Sequence, residues 1–276
     1  MSLSHDLQYA AELARGAGKI ILDKYGKVER LTKTHQAANE EAVTEADRAS
    51  QRFIVAGLRA RYPDDGIVGE ESETGESITF ECANPMGRNW VIDPIDGTNN
   101  FIAGLGNFCV CIGMLDQGFP VLGIVYDVTR DLMYVAARGE GAWLNNKRLR
   151  VLEDPLSDAA MIMFTSNLLI NGRLPGWVYK FVEQQTWKLR ILGSAALEAT
   201  CVAAGIAHAA ITVNGKLWDV AAPAAIILEA GGVITNISGG AVFPFDLRRY
   251  NGAKVPFLAT TPAAQRPLLE LIASNP

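Results

Sequence analysis

The chain has 276 residues and is sparing with the groups that most readily carry chemistry. Its four cysteines, Cys82, Cys109, Cys111 and Cys201, form neither a paired zinc-ligand set nor a Cys-x-x-Cys redox motif. A chain this long needs no disulfide staples, so all four are expected reduced and mostly buried, packing as small hydrophobes. Basic clusters are also missing. Lysine and arginine total 25 against 30 acids, the net charge is −5 and the pI about 5.3, which leaves no electrostatic footprint for a nucleic-acid backbone or an anionic membrane. Neither is expected as a partner. The first residues carry Asp6, Glu12, Arg15, Lys19 and Asp23 among the apolar ones, so they lack the hydrophobic region of a signal peptide, and a cytoplasmic protein is expected. The longest apolar stretch, Ala195 to Val213, is broken by Glu198 and His208; it reads as a buried helix running into a strand, not a membrane span. There is no internal repeat and no low-complexity segment.

What is present is apolar mass: 49% of residues are hydrophobic, enough for one large domain or two closely packed halves. Leu7, Ala10, Ala11, Ala14, Ala17, Gly18, Ile21 and Leu22 recur at helical spacing, with Gly26 as a stop. Lys27 to Ala42 loses that periodicity and reads as an exposed, mobile loop. Thr44 then precedes Glu45 and Asp47 as the N-cap and acidic first turn of a helix ending near Tyr62-Pro63. The runs 89–92, 108–115, 120–127 and 132–137 read as strands, the last three forming an antiparallel meander. Beyond residue 150 strands alternate with helices: strand 160–165, helix 177–185, strand 188–192, helix 195–204, strand 209–213 and helix 220–230. The chain is thus expected to divide into an α+β half (1–150) and an α/β half (151–276). Gly193-Ser194 caps a helix where a ligand could dock.

Two carboxylates stand three residues apart in Asp93-Pro94-Ile95-Asp96-Gly97-Thr98. Such a turn can aim both side chains and the Ile95 carbonyl at one point, and hard divalent cations take oxygen ligands of these kinds. Asp96 could instead cap a short helix whose first amides, at Gly97 and Thr98, would receive a phosphate, or the segment could be a solvated acidic turn. Either Glu70 or Glu71, after a glycine at the end of an apolar run, could reach the same centre. Asp219, between Trp218 and an apolar helix, is a simple N-cap or a fourth acid there. Several carboxylates sharing one site repel unless cations neutralise them.

Trp90-Val-Ile-Asp-Pro-Ile-Asp-Gly-Thr-Asn-Asn-Phe101 and Leu217-Trp-Asp-Val-Ala-Ala-Pro-Ala224 resemble the two signature motifs of the inositol monophosphatase family. Gly69-Glu-Glu-Ser72 resembles its third acidic element, and the segments 42–47 and 193–197 extend the likeness over nearly the whole chain. The resemblance implies a layered αβαβα sandwich of the sugar-phosphatase type, commonly a homodimer, hydrolysing a small phosphorylated metabolite with two to three Mg2+ ions. It implies that Glu70, Asp93 and the Ile95 carbonyl hold one ion, that Asp93, Asp96 and Asp219 hold a second, and that a third lies near Glu70. Asp47 paired with Thr98 would polarise the attacking water, making Glu70, Asp47 and Thr98 the catalytic set. Gly97 and Thr98 would meet the phosphate, and Gly193 and Ala195 the leaving-group hydroxyls. Thr212 stands where the family has an acid before the Trp-Asp motif, which puts inositol phosphate as the substrate in question. Lys33 could order water near the third ion and Lys216 meet a second anionic group. His5, His35 and His208 fit no part of this mechanism, and His208 is expected inside a buried helix. The same motifs serve phosphatases of fructose bisphosphate, adenosine bisphosphate and histidinol phosphate; a regulatory binding protein on this fold is the alternative of another class.

Overall fold

In the computed structural model, which describes residues 3–26, 45–72, 79–184 and 186–276, the elements run in five layers. Helices α1 (Leu3–Lys24) and α2 (Glu45–Arg61) are followed by strands β1 (Gly66–Gly69), β2 (Thr79–Glu81) and β3 (Asn89–Asp96) and the short helix α3 (Thr98–Ala103). The meander comprises β4 (Cys109–Asp116), β5 (Phe119–Asp127), β6 (Leu132–Ala137), β7 (Gly141–Leu144) and β8 (Lys147–Arg148). The remainder is β9 (Met161–Phe164), α4 (Gly176–Gln184), β10 (Lys188–Arg190), α5 (Ala195–Ala203), β11 (Ala209–Thr212), α6 (Leu217–Glu229), β12 (Val233–Thr235), β13 (Phe257–Thr260) and α7 (Pro262–Ser274). The expected loop 27–42, the Thr44 cap, Lys33 and His35 lie outside the described residues.

Two mixed sheets result, ordered β2-β1-β3-β4-β5-β6-β7-β8 and β10-β9-β11-β13-β12. Side chains alternate across each strand, so every strand serves two cores. Trp90, Ile92, Val110 and Ile112 face α1 and α2, while Val91, Cys109, Cys111 and Val125 face α5 and α6. In the second sheet Met163, Ala210 and Ala259 face α5 and α6, whereas Ile162, Ile211 and Leu258 face α4 and α7. The order is therefore helices, sheet, helices, sheet, helices, as the resemblance implied. Burial of each large side chain, such as Phe101 or Phe181, contributes about 1.5–3 kcal/mol. Helix α6 lies unusually close to the first sheet: a Cβ at Gly123 would stand 2.2 Å from the Ala222 carbonyl oxygen, and one at Gly113 2.8 Å from the Ala222 nitrogen. Small residues on both sides thus seat α6 directly on β4 and β5.

Two local expectations need correction. His208 follows α5 in the turn leading into β11 and is not helical, because the chain leaves the helix at Ala204 to start a strand whose neighbour β9 accepts the His208 N–H through Met161. Helix α6 starts at Leu217, three residues earlier than its apolar run indicates, because the Asp219 carboxylate can accept the Lys216 N–H at 2.7 Å from within the first turn. The cysteines are free, with Cys109 and Cys111 buried and Cys82 and Cys201 half-buried.

Candidate functional site

Simple alternation would send Asp93 and Asp96, three residues apart, to opposite faces of β3. A bulge prevents this. Asp93 pairs with Cys111 and Asp96 with Cys109, so two residues of β3, Pro94 and Ile95, oppose one of β4, Val110, and both carboxylates emerge on the face occupied by the two cysteines. Pro94 sits within the bulge, where its missing N–H breaks no ladder bond. Asp219, in the first turn of α6, approaches the same face. One carboxylate oxygen from each of Asp93, Asp96 and Asp219 lies within 4.8 Å of the other two. Three acids this close, two of them buried, repel strongly unless positive charge is supplied. Their donors are all oxygen, which suits a hard divalent cation.

The other expected residues surround this cluster. The Glu70 N–H donates to the Ile92 carbonyl at 3.2 Å, placing Glu70 beside Asp93 at the end of the parallel pair β1–β3. Glu71 points elsewhere: its backbone is held in both directions by Gln51, and its carboxylate faces Arg48 at 3.9 Å. The two glutamates, which residue type and spacing leave equivalent, thus face different neighbours. Thr98 donates its hydroxyl to the Ile95 carbonyl at 2.8 Å; that carbonyl keeps a second lone pair. Asp47 is buried on α2 one turn before Ser50, whose hydroxyl donates to the Pro94 carbonyl at 3.3 Å, so this face of α2 abuts the acidic turn. Thr212 is buried at the end of β11, and its hydroxyl has no hydrogen-bond partner among the described residues. Gly215 alone separates it from Asp219: a Cβ there would lie 2.7 Å from the Thr212 methyl and 3.2 Å from an Asp219 oxygen. The Lys216 ammonium donates to the Gly252 carbonyl.

Asp96 does not cap α3, whose N-cap is Gly97 with no side-chain bond. Its carboxylate instead receives the Ser194 hydroxyl, the Ala195 N–H at 3.2 Å and the Ala196 N–H at 2.7 Å. The bulge that turns Asp96 inward is the reason: the carboxylate faces the start of α5, whose unpaired amides favour an anion. Gly97 must be glycine, with φ +94° and a Cβ position 2.8 Å from the Asn107 carbonyl oxygen.

Three residues of this site are not singled out in the sequence as functional, Asn100, Glu198 and Tyr250, whereas Ser194 is the helix cap expected there. Glu198 carries a visible signal in the sequence, as a lone acid in an apolar run, though one that by itself only argues against a membrane span. Burial pushes its carboxyl up to about 8, the field of Asp96 adds to this, and bonds from the Leu192 and Gly193 amides oppose it. Tyr250 gave no signal. Its hydroxyl accepts the Leu217 N–H at 3.1 Å, and burial raises its pKa, with the Asp219 and Glu70 carboxylates adding to the rise. Burial likewise raises the Cys109 and Cys111 thiols, so these neighbours of Asp96 stay neutral.

The profile of the inositol monophosphatase family matches residues 2–274. The chain belongs to that family. Among curated relatives it is 37% identical to the Nus factor SuhB of Pasteurella multocida, across 85% of this chain and 86% of that protein. It is 35% identical to the fructose-1,6-bisphosphatase/inositol-1-monophosphatase of Thermotoga maritima, across 84% and 85%. Among solved structures it superposes on a Thermotoga maritima IMPase with a TM-score of 0.81 at 30% identity, covering 98% of this chain and 97% of that one. This member of the inositol monophosphatase family is a phosphoric monoester hydrolase, and its acidic cluster agrees with the metal dependence of the family.

Proposed function

We propose that the protein hydrolyses a small polyol phosphate monoester of the inositol 1-phosphate kind, using Mg2+. The observation that carries this reading is the convergence of Asp93, Asp96 and Asp219, from two sequence segments more than 120 residues apart, within 4.8 Å. Glu70, Asp93 and the Ile95 carbonyl are the proposed ligands of one ion, Asp93, Asp96 and Asp219 those of a second, and Glu70 lies nearest a third. Bound there, the ions would lower the pKa of a water and neutralise charge on the phosphoryl and leaving oxygens. Asp47 and Thr98 orient that water from the α2 side. The Gly97 and Thr98 amides receive the phosphate; Gly193, Ala195 and the unpartnered Thr212 hydroxyl face the leaving group. A neutral hydroxyl in place of an acid accommodates more than one polyol, and the Thermotoga relative is named for two sugar phosphatases. A cytoplasmic homodimer belongs to the same proposal.

The test is phosphate release from inositol 1-phosphate, fructose 1,6-bisphosphate, adenosine 3′,5′-bisphosphate and histidinol phosphate, with and without Mg2+. Asp219→Asn is the better control, since its amide oxygen still accepts the Lys216 N–H, whereas Asn at 96 would turn an amine toward the α5 donors. Mg2+-dependent turnover of one or two of these esters, lost in the variant, is expected. No release from any of them by protein that Mg2+ stabilises to heat would overturn the reading and favour the binding role suggested by the name Nus factor in the Pasteurella relative.

A further inference from the structure

Residues 192–196 present five consecutive donors, and they are shared between two carboxylates. Asp96 takes the Ser194 hydroxyl and the Ala195 and Ala196 amides. Glu198 takes the other two: a single oxygen, Oε1, receives the Leu192 N–H at 2.6 Å and the Gly193 N–H at 3.0 Å. Glu198 is 1% exposed, and its Oε2 has no hydrogen-bond partner among the described residues. A buried acid with one oxygen unsatisfied is costly, and a packed apolar residue at this point of α5 would avoid that cost. Its retention needs a reason beyond packing.

The other face of the same peptide supplies one. Asn100, in α3 directly after the acidic turn, donates through Nδ2 to the Leu192 carbonyl at 2.7 Å and to the Asn107 carbonyl at 2.9 Å. Gly193 has φ +80°, and a Cβ there would fall 2.8 Å from Asn100 Nδ2, so the clamp demands glycine. The Leu192–Gly193 link is thus gripped from opposite sides, its amides by a residue of α5 and its carbonyl by a residue of α3, just after the acidic turn. It is the only hydrogen-bonded tie among those described that joins α3 to the 192–193 link, and the donors of Ser194 to Ala196 begin at its end.

We propose that Glu198 and Asn100 are positioning residues which lock the Leu192–Gly193 link and thereby fix the Gly193–Ala195 backbone against the hydroxyls of the leaving group. This rests on the polyol phosphatase reading above. It assigns specificity for a hydroxylated leaving group to a clamp that need not touch substrate.

The experiment compares wild type, Glu198→Ala and Glu198→Gln by steady-state kinetics and by amide hydrogen exchange. Inositol 1-phosphate is compared with 4-nitrophenyl phosphate, whose leaving group has no hydroxyl to orient. In Glu198→Ala, KM for inositol 1-phosphate is expected to rise about tenfold and that for 4-nitrophenyl phosphate less than about twofold. Exchange of amides 192–196 should accelerate about tenfold, while α7 keeps its protection. Glu198→Gln keeps an acceptor oxygen for both amides and should restore both readouts to near wild type. Equal KM changes for the two esters, or unchanged exchange in Glu198→Ala, would overturn the proposal. Should Glu198→Ala not fold, Asn100→Ala carries the test from the other side, and wild-type kinetics in it would be equally fatal. If wild type does not hydrolyse inositol 1-phosphate, the substrate reading fails, and the exchange comparison still decides the clamp.

Discussion

Helices α5 and α6 lie side by side between the two sheets, and their first turns meet at the same acidic cluster, yet they begin in different ways. Helix α6 carries its own acid: Asp219 stands three residues after the N-cap Lys216 and accepts its N–H at 2.7 Å. Helix α5 opens on Ser194, which accepts the Leu197 N–H at 3.3 Å, and borrows its acid from Asp96, nearly a hundred residues earlier. One helix end therefore draws its acid from its own first turn and the other from a distant strand. Acids of the second kind couple the site more directly to the stability of the fold.

The largest expected difference separates the two aspartates. Both Asp96→Asn and Asp219→Asn should lower turnover at least about a hundredfold, because each weakens the hold on the cation that would neutralise phosphoryl charge. Only Asp96→Asn should also destabilise, by about 1–3 kcal/mol in urea unfolding, since it leaves buried donors of α5 poorly matched. Equal unfolding midpoints for the two variants would break the comparison.

Next is Ser194→Ala, which removes the N-cap of α5 and one donor to Asp96. The expected cost is about 1 kcal/mol by the same measurement, with a higher Mg2+ requirement for activity. A pH series sharpens the contrast through Glu198. Its carboxyl is raised from the ordinary 4.5 to about 8 in the folded chain, so folding holds a proton that the unfolded chain releases. Its contribution is full below pH 4.5 and is lost as pH rises through 8. The melting temperature of wild type should therefore fall relative to Glu198→Gln across that window, as thermal scans at pH 5, 6.5 and 8 would record; a constant difference would refute the shift. The smallest effect is at Lys216, whose ammonium serves the Gly252 carbonyl. Lys216→Ala should raise KM for a bisphosphate and a monophosphate alike, by less than about threefold. A rise confined to the bisphosphate would place Lys216 against a second anionic group.

Much of this architecture is readable along the chain, because helical and alternating periodicity report burial on one or two faces. The meander 109–137 and the α/β alternation after 160 follow from such patterns, and the acidic motifs follow from residue type and spacing. Glu70 against Glu71 could not be separated that way: adjacent residues point to opposite sides of an extended chain, and only Gln51 and Arg48 on α2 show which side Glu71 takes. Asn100 and Tyr250 were equally silent, since their partners at Leu192 and Leu217 are distant in sequence.

By itself the sequence determined the elements, the apolar faces that stack them in five layers, and the acids with which a cation site could be built, because each depends on short-range periodicity or on residue chemistry. Tertiary structure alone decided that a bulge would turn Asp96 onto the face of Asp93, that Asp96 would serve α5 and not α3, and that Glu198 would grip the link before it. These are long-range hydrogen bonds of buried groups, and their geometry exists only once both sheets have closed on the helices between them.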